Sequence, residues 1–385
     1  MKKAYNEVWV DNIDNQQIIK EWHEEKMLSS EQYIEAKQQF PVGFYQPNIF
    51  VEIGLFLFTN IAVSATFGFL AITFFSALLD TSLGFSAVSF MYGAALIFLL
   101  EKFIKNKNLY RSGTDNALLY VAIGSFITFI LAITDFKLSA YLYSGMFLIV
   151  LIPFLMRYGD PFVAIGLYAT WIGFWYTLMI EFPIGKIILP FVIMIVSAIG
   201  YALVKMWRKK DNSAYYTDSQ ICIETACLIT FYLGGNYYIV REGNAILNNL
   251  QDSRQIDFAP LFYIFTIFIP LLYLFFGLKR QDRKMVMVGI LTFAFSIFTY
   301  REYNSTFPLE WVMTLGGLAL IGFSIFCIWL LKTPRWGLTY QQSEASKYRD
   351  FEAFMVSQVL PHQGHGGKTK FGDGDFGGGG AGSGY

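Results

Sequence analysis

Of the chain's 385 residues, 55% are hydrophobic and only 15% charged, whereas about a quarter of residues carry charge in an ordinary soluble domain. With 29 basic and 29 acidic residues the formal net charge is zero, which argues against nucleic acid or another polyanion as a partner. Three cysteines (Cys222, Cys227, Cys327) and three histidines (His23, His362, His365) have no ligand or disulfide spacing, so no metal and no cofactor is expected.

Residues 1–49 are polar, carry charges of both signs and lack the short apolar core and cleavage site of a secretory signal. The first apolar segment is therefore expected to stay in the membrane. Residues 12–40 read as a helical hairpin. Ile18, Ile19 and Trp22 form an apolar stripe on its first helix, and Met27-Leu28 make the turn. Ser29 followed by Gln32 has capping-box spacing, and Ile34 and Ala36 continue the second helix until Pro41 stops it. So small an element cannot bury much surface alone, so it should pack on a larger body or a partner.

A bilayer core of about 30 Å takes about 20 apolar residues as helix. By that measure residues 53–79, 82–104, 116–134, 138–156, 161–180, 184–207, 220–240, 258–278, 285–300 and 309–331 read as spans. The segments are continuously apolar rather than alternating, so helices are expected and not a barrel. The fold class is thus all-α, a polytopic membrane helical bundle of about ten transmembrane helices over residues 50–332. The seventh span is the most polar and the ninth the shortest. Lys/Arg placement orients the bundle. One set of loops holds Lys102, Lys105, Lys107, Arg111, Arg157, Lys205, Arg208, Lys209, Lys210, Lys279, Arg280, Arg283 and Lys284, and the other only Lys137, Lys186, Arg241, Arg254 and Arg301. Thirteen cations against five predict a cytoplasmic location for the first set and for both termini.

Pro161 and Pro183 open spans, whereas Pro153, Pro190 and Pro270 lie inside them and should kink or end a helix. Gly234-Gly235-Asn236 weakens the outer half of the seventh span. Ser64 with Gly68, and Ala198 with Ala202, are small pairs that suit close helix packing.

Charge inside a bilayer costs about 2.5–3.5 kcal/mol on insertion scales and so requires a reason. Glu224, one turn into the seventh span, reads either as a proton or cation site facing the bundle interior or as a carboxylate that snorkels to the inner boundary. Glu52, Asp80, Glu101 and Glu181 sit at span ends, where hydration is cheap. Arg241-Glu242-Gly243-Asn244 and Arg301-Glu302-Tyr303-Asn304 repeat an R-E-x-N pattern after the seventh and ninth spans. Two such arginines at the outer face can grip a phosphate or carboxylate, with Lys186 and Glu181 at the same level. Arg241, Glu242, Asn244, Arg301, Glu302, Asn304 and Glu224 are therefore the candidate ligand residues. Tyr168, Trp171 and Trp175 share one face of the fifth span, either lining a cavity for a lipid or sugar or belonging to the aromatic belt. Phosphate loops, HExxH and GxSxG are absent from the sequence, so no catalytic residue is expected.

After the last span, Tyr348, Phe351, Met355 and Val359 recur at helical spacing and predict a cytoplasmic amphipathic helix over 333–361. Residues 362–385 are low-complexity, and eleven of the last 22 are glycine, so this tail is expected to be disordered when free. Phe371, Phe376 and Tyr385 are its candidate anchors for a protein partner. The FGxGxFGGGGAxGxY pattern is similar to the Gly-rich, aromatic-terminated tails of some bacterial envelope proteins, including those with TPM domains.

The run Trp22–Lys37, WHEEKMLSSEQYIEAK, followed by the Gly-containing first span, resembles a family of bacterial multi-pass membrane proteins of the DUF2157 type. Its pattern is a short helix, a turn, a second helix, then many spans. Tyr33 stands where a small residue is usual and Met27 where glycine is usual. The resemblance covers about the first fifth of the chain and the layout. It implies a bacterial inner membrane, and it carries no activity across. Two functions follow as expectations: an accessory or scaffold protein of the envelope acting through its cytoplasmic ends, or a secondary transporter or lipid-linked carrier of an anionic small molecule. The bilayer is the one partner that composition dictates.

Overall fold

The computed structural model describes residues 2–24, 26–210 and 214–303, with scattered helical positions between Thr314 and Trp329. Asn304, the remainder of the tenth span, the 333–361 helix and the tail with Phe371, Phe376 and Tyr385 lie outside the described residues. In chain order the elements are α1 (Glu7–Glu24), α2 (Ser30–Gln39), α3 (Ile49–Thr73), the short α4 (Ser76–Leu79), α5 (Ser82–Lys107), α6 (Thr114–Ile133), α7 (Ala140–Tyr158), α8 (Pro161–Ile180) and α9 (Gly185–Lys210). A 3₁₀ turn (Ala214–Tyr216) then leads into α10 (Thr217–Gly235), α11 (Tyr237–Leu247), α12 (Ala259–Lys279) and α13 (Arg283–Tyr303). Among the described residues there is no strand, only a single bridge between Tyr45 and Leu109. Eight helices, α3, α5 to α9, α12 and α13, are long and apolar enough to cross a membrane.

The expected span edges shift in three places. The first span ends at Thr73, not at 79, because its 25 residues at about 1.5 Å each already exceed the hydrocarbon thickness; α4 follows as a separate turn. The ninth runs over 21 residues, Arg283–Tyr303, and is not the shortest. The seventh stops at Gly235, where Asn236 turns extended (φ −82°, ψ 125°) and its side chain caps the Ile239 amide of α11 at 3.2 Å. The glycines here serve packing: a Cβ on Gly234 would lie 3.1 Å from the Pro190 carbonyl oxygen of α9. Helices α7, α9 and α12 run on through Pro153, Pro190 and Pro270.

Helix α10 is the most buried helix of the bundle. It packs on α8, α9, α12 and α13 and buries most of its length, from Asp218 through Gly235. That burial by other helices, not by lipid, is why so polar a segment is tolerated here. Its close neighbour on α9 is the Ser197–Gly200 face, where a Cβ on Gly200 would meet the Cys227 sulfur at 3.2 Å. The expected small pair Ala198–Ala202 is instead exposed on the outside of α9, and Gly68 has open space where a Cβ would go. Small residues mark helix contacts only on the face that a neighbour happens to cover.

The N-terminal hairpin closes one end of the bundle. The Ser29–Gln32 capping box forms as expected, with both bonds present. The first helix starts earlier, at Glu7, and docks by burying Val10, Asn12 and Ile19. Asn12 donates to the Pro41 carbonyl at 2.8 Å, and Trp9 meets Phe44 edge-on at 5.1 Å. Ahead of α1, Tyr5 inserts fully, and its hydroxyl donates to Asp115 Oδ2 at 2.9 Å. Burial and the Asp115 carboxylate hold the Tyr5 hydroxyl well above its usual value. Since the folded state resists its ionisation, this bond contributes fully below the ordinary tyrosine value of about 10 and weakens only as pH rises through the raised one. Tyr5→Phe should cost about 1–3 kcal/mol of docking. The expected result is faster proteolysis within the first 40 residues and an unchanged bundle; equal protection of the two proteins refutes the anchoring role.

Candidate functional site at the two ends of the central helix

At the hairpin end the loops 108–113 and 159–160 meet the 3₁₀ turn 214–216 and the start of α10, and carry buried charge. Asp115, fully buried, accepts the amides of Arg111 and Ser112 at 2.8 Å each, besides the Tyr5 hydroxyl. Arg111 pairs with Asp218 at the start of α10. Burial works against its charge, yet Tyr110 and Asp218 together hold the guanidinium above its usual value. Asp160 caps α8 through the Val163 amide at 2.9 Å and accepts from Asn116 (3.0 Å) and Tyr120 (3.1 Å). Burial pushes its carboxyl up. Arg157 bonds Glu101 at 2.6 Å, and the Tyr158 hydroxyl joins the same carboxylate at 2.9 Å.

Nearly two turns beyond Asp218 in α10 lies Glu224, its side chain 2% exposed. It does not snorkel to the surface. Lys284 at the start of α13 approaches it at 2.7 Å, Arg208 of α9 at 2.9 Å and Lys205 at 3.6 Å. Lys205 also stands 3.7 Å from Asp282. Gln220, one helical turn before Glu224, accepts from Arg208 Nε at 3.2 Å. A single buried carboxylate thus ties α9, α10 and α13 together. Sequence reasoning found Glu224 but read its cations only as orientation signals, and it missed Asp115, Asp160 and Asp218 entirely. The available signals were Asp160 directly before Pro161, a helix-start pattern, and the two carboxylates four and eleven residues on from Arg111 and Trp207.

Beyond Glu224, two separate hydrogen-bonded groups lie along α10 towards its other end. Tyr168 donates to Ser197 at 3.2 Å and also bonds Thr230. Tyr232 and Ser296 lie 2.9 Å apart, and Asn236 donates to both Tyr232 (2.8 Å) and Thr299 (3.0 Å). Tyr168 is thus a buried hydrogen-bonding residue of the core, while Trp171 and Trp175 meet edge-on at 5.8 Å beside it.

At that far end the R-E-x-N residues take unlike positions. Arg241 through Asn244 lie within α11, not in a loop. Arg241 donates to the Ser253 carbonyl at 2.8 Å, and its guanidinium stacks over the Tyr303 ring at 4.3 Å. Glu242 accepts the Tyr303 hydroxyl at 2.8 Å, and Asn244 is taken up by Asn248 at 2.9 Å. Lys186 does reach this level, donating to the Leu247 carbonyl at 3.2 Å. Arg301 is two residues from Tyr303 on α13. Residues i and i+2 of a helix point to nearly opposite sides, so Tyr303, packed on Arg241, turns Arg301 away from it. Among the described residues Arg301 makes no hydrogen bond or ion pair, and Glu302 is exposed. The structure therefore gathers Arg241 and Glu242 around Tyr303 and leaves Arg301 and Glu302 apart.

Eight apolar helices, four of them packed on the polar α10, define a multi-pass integral membrane protein. No protein-family model matches the chain, and comparisons with curated proteins and with solved structures likewise return no match.

Proposed function

We propose that this integral membrane protein is an accessory or scaffold component of a bacterial envelope assembly, working through the ends that project from its hairpin face, which the cation bias assigns to the cytoplasm. The observation that carries this reading is α2. It buries none of its residues, and together with the end of α1 and the turn between them it leaves Trp22, Met27 and Ile34 exposed on a hairpin outside the apolar spans. Apolar side chains left uncovered in water mark a contact surface. The tail aromatics Phe371, Phe376 and Tyr385 belong to the same proposal. Native electrophoresis of solubilised membranes tests it. The full chain should migrate in an assembly larger than itself, and Met27→Glu with Ile34→Glu, or truncation after Leu360, should release it. Folding should survive the double substitution because neither side chain is buried.

A secondary transporter or lipid-linked carrier of an anionic small molecule is the second reading, favoured by the separate buried polar groups along α10. Migration of the full chain at its own mass would sink the scaffold reading and leave this one.

A further inference from the structure

We infer that the cavity between α3, α5 and α6 is a binding site for an uncharged phenol dissolved in the bilayer. The inference does not depend on the scaffold reading. The cavity holds about 410 Å³, within the range of about 300–1,000 Å³ for small-molecule sites. Helix α6 packs on both α5 and α3. Helix α5 reaches α3 here through Tyr92, whose hydroxyl donates to the Val63 carbonyl at 2.6 Å and whose ring lies 4.9 Å from that of Phe67. Ser64 and Gly124 on the cavity walls are exposed, so the space opens towards lipid. From Ile49 to Ser64, and from Thr114 to Thr128, a helix advances about 21–22 Å. That is past the midpoint of a hydrocarbon core of about 30 Å, on the side away from the hairpin.

Three properties of the lining choose the ligand. The lining residues are all uncharged, and a charge at that depth is costly, so the ligand is neutral. Phe67, Phe85 and Tyr92 give the cavity aromatic walls, which favour a ring as occupant. The hydroxyls decide the rest. Ser89 donates to the Phe85 carbonyl at 2.9 Å, Ser125 to that of Val121 at 2.8 Å and Thr128 to that of Gly124 at 2.9 Å. With Tyr92 committed to Val63, four hydroxyls have spent their only proton inside the protein, and each keeps oxygen lone pairs that can accept. Water would use those lone pairs, and the bilayer core has none to give. Ser64 alone of the lining hydroxyls makes no hydrogen bond among the described residues, and its proton can turn onto the Asn60 carbonyl one turn back, as serines in helices do. The walls thus offer acceptors and lack a donor. An acyl chain would fill the volume and leave these oxygens unmatched, and a ketone or ether would add acceptors to acceptors. A phenol brings a ring for the aromatic walls and an O–H for the oxygens.

The test is the melting temperature of the detergent-purified full chain with para-hexylphenol or para-hexylanisole at equal content in the micelle. The two compounds differ by a methyl group on the oxygen, which removes the donor and leaves the ring and chain. The phenol should raise the melting temperature by several degrees, as a ligand of the folded state does, and the anisole should not. Gly124→Phe should abolish the rise, because a Cβ there meets nothing within 4 Å and the new ring enters the ligand's space. Gly173→Phe, at another open glycine, on α8, should keep it. Should Gly124→Phe fail to fold, Ser125→Ala with Thr128→Val removes two acceptors without adding bulk and should lose most of the rise. An equal response to both compounds overturns the hydrogen-bonded assignment. No response in the unmodified protein overturns the site, and a rise that survives both α6 variants overturns its location.

Discussion

Glu224→Gln should be the most damaging single substitution in the helical core, at about 3–5 kcal/mol, the range for removing one partner of a buried ion pair. Glutamine keeps the shape of the side chain but removes the charge that Lys284 and Arg208 approach at 2.7 and 2.9 Å. Both cations are largely enclosed, and Asp282 at 3.7 Å from Lys205 is the remaining carboxylate of the cluster. Two positive charges would then face each other across α10 in a medium that screens poorly. The double variant Glu224→Gln with Lys284→Met should recover much of the loss, because an apolar replacement of a whole buried pair is often neutral. Thermal unfolding of the single and double variants checks this. A single variant that melts with the parent protein, or a double one that falls by the sum of its parts, rules out Glu224 as the tie between α9, α10 and α13.

The contrast between this site and the outer one explains what could be read from the sequence. Long apolar runs and the placement of Lys and Arg depend on the solvent, and a bilayer imposes the same rule on every segment, so the bundle was legible from hydropathy alone. The Ser29–Gln32 capping box was legible because it is closed by residues three apart. What a helix faces is different. Ala198 and Ala202 have suitable spacing, yet α10 lies against Ser197 and Gly200 instead, and only the tertiary arrangement decides between adjacent faces of one helix. Asp115, Asp160 and Asp218 stand beside short loops, where charge normally means water. They are buried because residues 2–13 fold back over those loops, a contact across more than a hundred positions in the case of Tyr5 and Asp115. The repeated R-E-x-N pattern reads as a pair of grips, but helix geometry at α13 puts Tyr303, not Arg301, against Arg241.

The second large effect is expected at Gly113, which sits where the hairpin-face loop enters α6. Its backbone has φ +89° and ψ −45°, a region outside even the left-handed helical one that other residues occasionally visit, so a side chain there is strained by about 1–3 kcal/mol. Space is also lacking. A Cβ would lie 2.1 Å from the Glu52 carbonyl oxygen and 2.9 Å from the Phe56 amide nitrogen, both backbone atoms of α3 that no rotamer change can move. Overpacking of this kind costs about 1–3 kcal/mol more. The strain falls on the weakest attachment in the bundle, because α3 buries none of its residues and reaches α6 through contacts such as Thr59 to Thr114 at 3.4 Å. Gly113→Ala should therefore loosen α3 before the rest unfolds. Hydrogen exchange in detergent should rise along residues 49–73 while α10 remains protected. Gly68→Ala, on the same helix but with open space for its Cβ, should leave exchange unchanged. Uniform loss of protection across the bundle, or none at all, would mean that α3 is not held by the close approach at Gly113.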